Sequence, residues 1–197
     1  MQALATALRV VILIAALVPA DSRPRGAPAR PYPRWTPLFV LIAAAGLLAQ
    51  LQWPGLRPLL ERNADAMFDG QWWRLFTALW PQDGGIAGGL ANIASLLLIG
   101  NAAERRWPGL AWPVLYLGGG LLSQLVALRW QPVGAGNSVA VMALAGALIC
   151  ARFFDGPSKR WSSVAAAACA CALIGLCDIH GAATLIGCLF AWAARRR

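Results

Sequence analysis

The stretch Gly134-Ala-Gly-Asn-Ser-Val-Ala-Val-Met-Ala-Leu144 sets a glycine-rich turn directly before an apolar run, with Ser138 at the junction. Glycine supplies the backbone freedom a tight turn needs, and the apolar run behind it predicts a helix over Asn137 to Phe154. A serine at a helix start has two readings. It is an N-cap that satisfies a free backbone N–H, or, with a base in reach, a nucleophile. The chain holds one histidine, His180, and imidazole is the side chain whose unperturbed pKa suits a base at neutral pH. Whatever chemistry Ser138 performs with a histidine, it performs with that one.

Outward from this stretch the chain is apolar almost throughout. Of its 197 residues 59% are hydrophobic and 13% charged, a balance that excludes an ordinary soluble domain and predicts an all-α polytopic membrane protein. Six spanning helices are expected: Pro37 to Trp53, Ile86 to Ala103, Leu110 to Leu128, Asn137 to Phe154, Trp161 to Leu176 and Ile179 to Ala194. Several are short for a hydrocarbon core of ~30 Å, which implies close packing or local thinning. The net charge of +9 lies almost entirely between apolar runs, which suits anionic lipid headgroups and not nucleic acid. Arg105 and Arg106 follow the second helix, Arg152, Lys159 and Arg160 flank the fourth and fifth, and residues 195–197 are a basic C-terminal end. The positive-inside rule puts all of these in the cytoplasm, so the second, fourth and sixth helices begin on the outer side.

Two segments fall outside that regular pattern. Residues 1–20 form an apolar run barely long enough to span, with Arg9 near its middle. A marginal N-terminal helix or interfacial segment is the favoured reading. A signal peptide ending at Val18-Pro19-Ala20 and a start site placed too early stay open beside it. Residues 21–36 are an Arg/Pro-rich linker expected in the cytoplasm, and the transmembrane domain proper is expected over 37–194. The loop from Pro54 to Gly85 is long and rich in aromatic residues, so it is expected to fold and lie in the outer interface.

Three polar side chains then share one end of the bundle by helix parity: Asn92, Ser138 and His180. Polar groups inside apolar helices are costly and face the bundle interior or water. Singly they read as interhelical glue, cap and packing residue. Together they fit acyl transfer, with Ser138 attacking a carbonyl, His180 as base and Asn92 donating to the oxyanion. Asp178, two residues before His180, is expected to point away from it and to act as an interfacial charge. The five cysteines lack metal-ligand spacing and read as small core residues. No metal or organic cofactor is implied.

The order of motifs resembles the rhomboid intramembrane serine proteases over roughly residues 37 to 194. Trp73-Arg74-Leu75-Phe76-Thr77 is similar to the Trp-Arg signature of that family's first loop. Asn92 stands at the asparagine of its His-x-x-x-Asn motif, and Gly100-Asn-Ala-Ala-Glu104-Arg105 resembles its Gly-x-x-x-Glu-Arg helix end. Gly136-Asn137-Ser138 matches the first three positions of Gly-x-Ser-Gly, and His180 with Gly187 matches the outer positions of His-x-x-Gly-x-x-x-Gly. The resemblance implies a six-helix core, a Ser138–His180 dyad with Asn92 at the oxyanion, and membrane-anchored or transmembrane proteins as substrates. It also implies a multi-pass protein of a bacterial inner membrane with its site toward the extracytoplasmic side. A sortase-like subclass of the family falls within this reading.

Four positions depart from the family pattern. Gly88 replaces the histidine of His-x-x-x-Asn, Val139 the second glycine beside the nucleophile, and Met142 a tyrosine that packs on the histidine. Ala183 replaces a glycine but leaves Ala183 and Gly187 as a small-xxx-small pair that lets helices approach. The first three keep a second reading open, a rhomboid-like pseudoprotease that binds transmembrane segments without cutting them. A small channel or transporter is the more distant alternative, and no inverted repeat supports it.

Overall fold

A computed structural model of the chain describes residues 1–18, 32–156 and 160–195. Most of the 21–36 linker therefore lies outside the described residues. Ten helices are present among the described residues. Seven form the bundle: α1 (Gln2–Leu17), α2 (Trp35–Gln52), α6 (Gly85–Arg106), α7 (Ala111–Trp130), α8 (Ser138–Asp155), α9 (Arg160–Gly175) and α10 (Ile179–Arg195). Three short ones, α3 (Leu56–Leu60), α4 (Ala64–Phe68) and α5 (Arg74–Thr77), fold the long loop. Two-residue strands β1 (Arg62–Asn63) and β2 (Val133–Gly134) pair antiparallel, Arg62 opposite Gly134 and Asn63 opposite Val133. The chain is an all-α integral membrane protein: α2, α6, α7 and α8 are long and apolar enough to cross a membrane by length and composition. The other three bundle helices are apolar but have only 16 or 17 residues, about 25 Å of helix at 1.5 Å per residue.

Helix α8 is the axis of the bundle. From Val139 to Ile149 every residue is buried, because its small and branched side chains are covered on all sides by α7, α10, α6, α1 and α9. The contact with α10 is backbone on backbone. A Cβ at Gly146 would sit 1.9 Å from the Thr184 carbonyl oxygen, and one at Gly187 would sit 1.8 Å from that of Ala143. No side chain fits at either crossing point, which is the physical content of the small-xxx-small pattern. By contrast α2 is peripheral and mostly lipid-facing. It is held by an aromatic cluster in which Phe39 meets the edges of Trp112 and Tyr116. Its N-terminus is held by Glu104, whose carboxylate accepts from the backbone N–H groups of Arg34, Trp35 and Thr36 and from the Thr36 hydroxyl. An acid there satisfies the orphan donors of the first turn and complements the helix dipole.

The 54–85 loop is folded and tied to the turn before α8. Arg74 is buried and donates to Gln71 Oε1 and to the carbonyls of Pro58 and Glu61, so it fastens the loop to itself. Trp72, Trp73, Phe68 and Phe76 face outward, as interfacial aromatic side chains do, while Ala78 and Leu79 enter the core. The Ala78 carbonyl accepts the N–H of Gly136 at 2.8 Å, and Asp83 Oδ2 accepts that of Ala135 at 2.9 Å. The loop thereby sets the approach of the chain to Ser138.

Helix α1 packs into the bundle against α9, α8 and α6. Its C-terminal end meets Arg152, a buried residue of α8 whose guanidinium donates to the Ala15 carbonyl. That carbonyl belongs to the last turn, where helix geometry leaves acceptors without partners.

Candidate functional site

Ser138, the first residue of α8, and His180, the second residue of α10, meet where the two helices converge. Ser138 Oγ lies 2.9 Å from His180 Nε2. The direct backbone contact of α8 with α10 explains how residues 42 positions apart reach hydrogen-bond distance. A cavity of about 700 Å³ opens onto them, walled by α1, α6, α8 and α10 together with the segments before α6 and α8.

Gly136 governs the space beside the serine. Its φ of 126° lies in a region that side chains disfavour. The position its Cβ would take is 3.5 Å from Asn92 Nδ2 and 3.6 Å from Ser138 Oγ. Glycine therefore leaves open the one spot that adjoins both the hydroxyl and the amide. Asn92 is aimed there by Gln82, whose Oε1 accepts one Nδ2 hydrogen at 3.0 Å and leaves the other free to point at the cavity. Gln82 is fully buried and is itself fixed through two backbone hydrogen bonds with the Gln50 amide. Asn137, the residue before the serine, is buried. Val139 and Met142 are buried too and line the cavity wall.

Asp178 requires a correction. Its side chain turns toward His180, with Oδ1 2.6 Å from Nδ1 and also accepting the His180 backbone N–H at 2.9 Å. The i, i+2 rule that would separate the two applies inside a helix, but α10 starts at Ile179. Asp178 stands just outside, after Cys177 with its positive φ of 54°, and folds back over the first turn as a capping acid. Burial works to raise its pKa, yet the hydrogen bonds from His180 and Arg9 hold the carboxyl below the usual carboxylate range. An ionised carboxylate only accepts, so Nδ1 carries the ring proton and Nε2 presents its lone pair to the Ser138 hydroxyl.

Arg9 of α1 also enters the site: its guanidinium bonds Asp178 Oδ2 and lines the cavity. The remaining residues marked by sequence have other positions. Trp73 is exposed and Arg74 ties the loop together, so neither borders the cavity. Ala183 is fully buried, and Gly187 crosses Ala143 as described above. Gly88 lines the cavity, and a Cβ there would fall 2.5 Å from the Asp83 carbonyl oxygen. The backbone before α6 has closed onto the glycine, so a histidine at this position has no room. Sequence reasoning missed Gln82 and misjudged Asp178. A polar Pro81-Gln82-Asp83 run before a helix and an aspartate at a helix start were the available signals. Among the described residues no group of three or more His, Cys, Asp or Glu side chains could hold a metal ion.

Comparison with known proteins agrees with this architecture. A family model described as the Rhomboid domain matches residues 69–195. RHOMBOID-like protein 5 of Arabidopsis thaliana is 33% identical over 100 residues, covering 49% of this chain and 32% of the plant protein. The chain thus matches only about a third of that relative's length. The region matched by the family model runs from just after α4 through α10 and includes the whole convergence of α6, α8 and α10, which places the chain in the rhomboid family.

Proposed function

We propose that this protein is an intramembrane serine endopeptidase that hydrolyses peptide bonds of membrane-anchored proteins. The observation that carries the proposal is the 2.9 Å contact between Ser138 Oγ and His180 Nε2 at the floor of an open cavity. His180 takes the hydroxyl proton on Nε2 as Ser138 Oγ attacks the peptide carbonyl. It then returns that proton to the leaving amine as the C–N bond breaks, and an acyl-enzyme ester remains on Ser138. Water from the cavity then attacks the ester carbonyl and gives a proton to His180; the bond to Ser138 Oγ breaks, the acid leaves, and His180 returns the proton to Ser138. The carbonyl oxygen, negative in the tetrahedral intermediate, fits the spot left by Gly136, facing Asn92 Nδ2 and the first-turn N–H groups of α8.

Two further points support this reading. The dyad lies at the end of the bundle opposite Arg105, Arg106, Arg152 and Arg195, so the positive-inside rule directs the cavity to the extracytoplasmic side of a bacterial inner membrane. Its walls are helices that themselves cross or enter the bilayer, which suits a substrate arriving within the membrane. The pseudoprotease alternative rests on Gly88, Val139 and Met142. It loses force because the serine and imidazole are held in reacting geometry that binding alone does not require.

The proposal is tested with the protein in liposomes of phosphatidylethanolamine and phosphatidylglycerol, presented with single-span model peptides that carry small and helix-breaking residues near the outer face. Cleavage should fall by roughly six orders of magnitude in Ser138→Ala and His180→Ala. In Asn92→Ala it should fall ~100-fold, about 3 kcal/mol of transition-state stabilisation. Peptides that bind equally to wild type and Ser138→Ala and are cut by neither would establish the pseudoprotease instead.

A further inference from the structure

Arg9 is the one charge inside the first apolar run, and an arginine at the centre of a membrane helix is costly unless it is paired. The chain has eight acidic residues with which to pair it. Several are engaged elsewhere: Glu104 at the start of α2, Glu61 and Asp83 with Arg57, and Asp155 with Arg106. Arg9 reaches Asp178, the residue that holds the histidine, across 169 positions of sequence. The result is a continuous line of contacts from α1 to the serine: Arg9 to Asp178 Oδ2, Asp178 Oδ1 to His180 Nδ1, and His180 Nε2 to Ser138 Oγ.

The two carboxylate oxygens have separate tasks. Oδ1 takes the ring N–H and the backbone N–H of His180, and Oδ2 takes the guanidinium. Asp178 is attached to the chain between α9 and α10, at a joint whose preceding residue has a left-handed backbone. Without a partner on Oδ2 the carboxylate could rotate about its side-chain bonds and release the ring. Arg9 blocks that rotation from the opposite wall of the cavity. The far end of α1 is fixed independently by the Arg152 guanidinium on Ala15, so the helix presents Arg9 at a set depth.

We propose that Arg9 is a positioning residue of the site: by holding Asp178 it fixes the His180 imidazole toward Ser138, which makes the N-terminal helix α1 part of the catalytic apparatus. As a statement about catalysis this rests on the serine endopeptidase reading.

The single histidine makes the test direct. Protein labelled with ¹⁵N-histidine and purified without a polyhistidine tag gives ring signals from His180 alone. Wild type should show a ring protonated on Nδ1 in a strong hydrogen bond. Arg9→Met, which keeps the apolar stem, should lose that signature to a mixture of tautomers, and Arg9→Lys should restore it. Arg9→Gln serves as a second variant should the methionine disturb folding, with the same loss expected. In parallel, the maximal rate of labelling by a fluorophosphonate probe should fall 10- to 100-fold in Arg9→Met with the probe's half-saturating concentration unchanged. The same substitution should have little further effect in an Asp178→Asn background. Unchanged His180 signals and labelling in Arg9→Met would overturn the inference and leave the endopeptidase reading standing. Effects that add in full to those of Asp178→Asn would overturn it too, by marking α1 as mere packing. Absence of wild-type labelling would overturn the endopeptidase reading, and the catalytic meaning of Arg9 with it.

Discussion

Helices α8 and α1 both wall the same cavity, and they are held in the bundle by opposite means. Helix α8 is buried over most of its length and meets α10 through glycine and alanine, backbone against backbone. Helix α1 has only four buried residues, Ala5, Ile12, Ala15 and Ala16, and polar contacts fasten it at its middle and at its C-terminal end: Arg9 on Asp178, and Arg152 on the Ala15 carbonyl. Close packing places the nucleophile and fixes its helix rigidly. Charge pairing places the group that orients the base, and such a contact can be removed without dismantling the bundle.

The contrast predicts different responses to perturbation. The largest effect belongs to the α8/α10 crossing. Gly187→Leu forces a side chain into a space already filled by the Ala143 carbonyl. Overpacking commonly costs ~1–3 kcal/mol, and here backbone must move, so the loss should reach or exceed the top of that range. A thermal melt in detergent should show little cooperative unfolding, and a Gly187→Leu protein that melts like wild type would show that the helices do not touch as described. The substitutions at Arg9 come next, with their loss of labelling rate and retained fold.

The smallest effect is one of pH. Because the folded-state carboxyl of Asp178 is held below its ordinary range, the stability it contributes is complete above the unfolded pKa of about 4. That stability is lost as the pH falls through the folded value. Between pH 6 and pH 3 the melting temperature of wild type should therefore fall roughly 3 °C further than that of Asp178→Asn. Parallel curves for the two proteins would remove Asp178 from the account of α1 docking. The Gly146–Thr184 and Gly187–Ala143 contacts of the α8/α10 crossing involve no carboxylate, so they should not contribute to this difference.

The same contrast explains what could be read in the sequence. Apolar runs and the arginines between them marked the bundle helices to within a few residues, because hydrophobic length and charge placement are local properties. The pairing of Ser138 with His180 was legible for a simpler reason: there is one histidine, and small residues at Ala183 and Gly187 allow its helix to approach α8. Asp178 was misjudged because the rule for side chains within a helix was carried one residue past its start, and an aspartate before an apolar run is equally a capping signal. The contacts made by Gln82 and Glu104 and the partner of Arg9 were not legible. Their contacts join distant parts of the chain, and no spacing in the sequence encodes which carboxylate an isolated arginine will find. The glycine at position 88 was legible only as a departure. Its physical reason, a carbonyl packed where a side chain would be, needed coordinates.

The central claim is that Ser138 is a nucleophile activated by His180. It is tested most directly by treating detergent-solubilised, folded protein with a fluorophosphonate probe and mapping the adduct by mass spectrometry of the peptide containing residue 138. The account predicts one adduct, on Ser138, absent in Ser138→Ala and formed far more slowly in His180→Ala. An unmodified Ser138 in protein that retains its cooperative melt, or an adduct formed equally fast without the histidine, would contradict it.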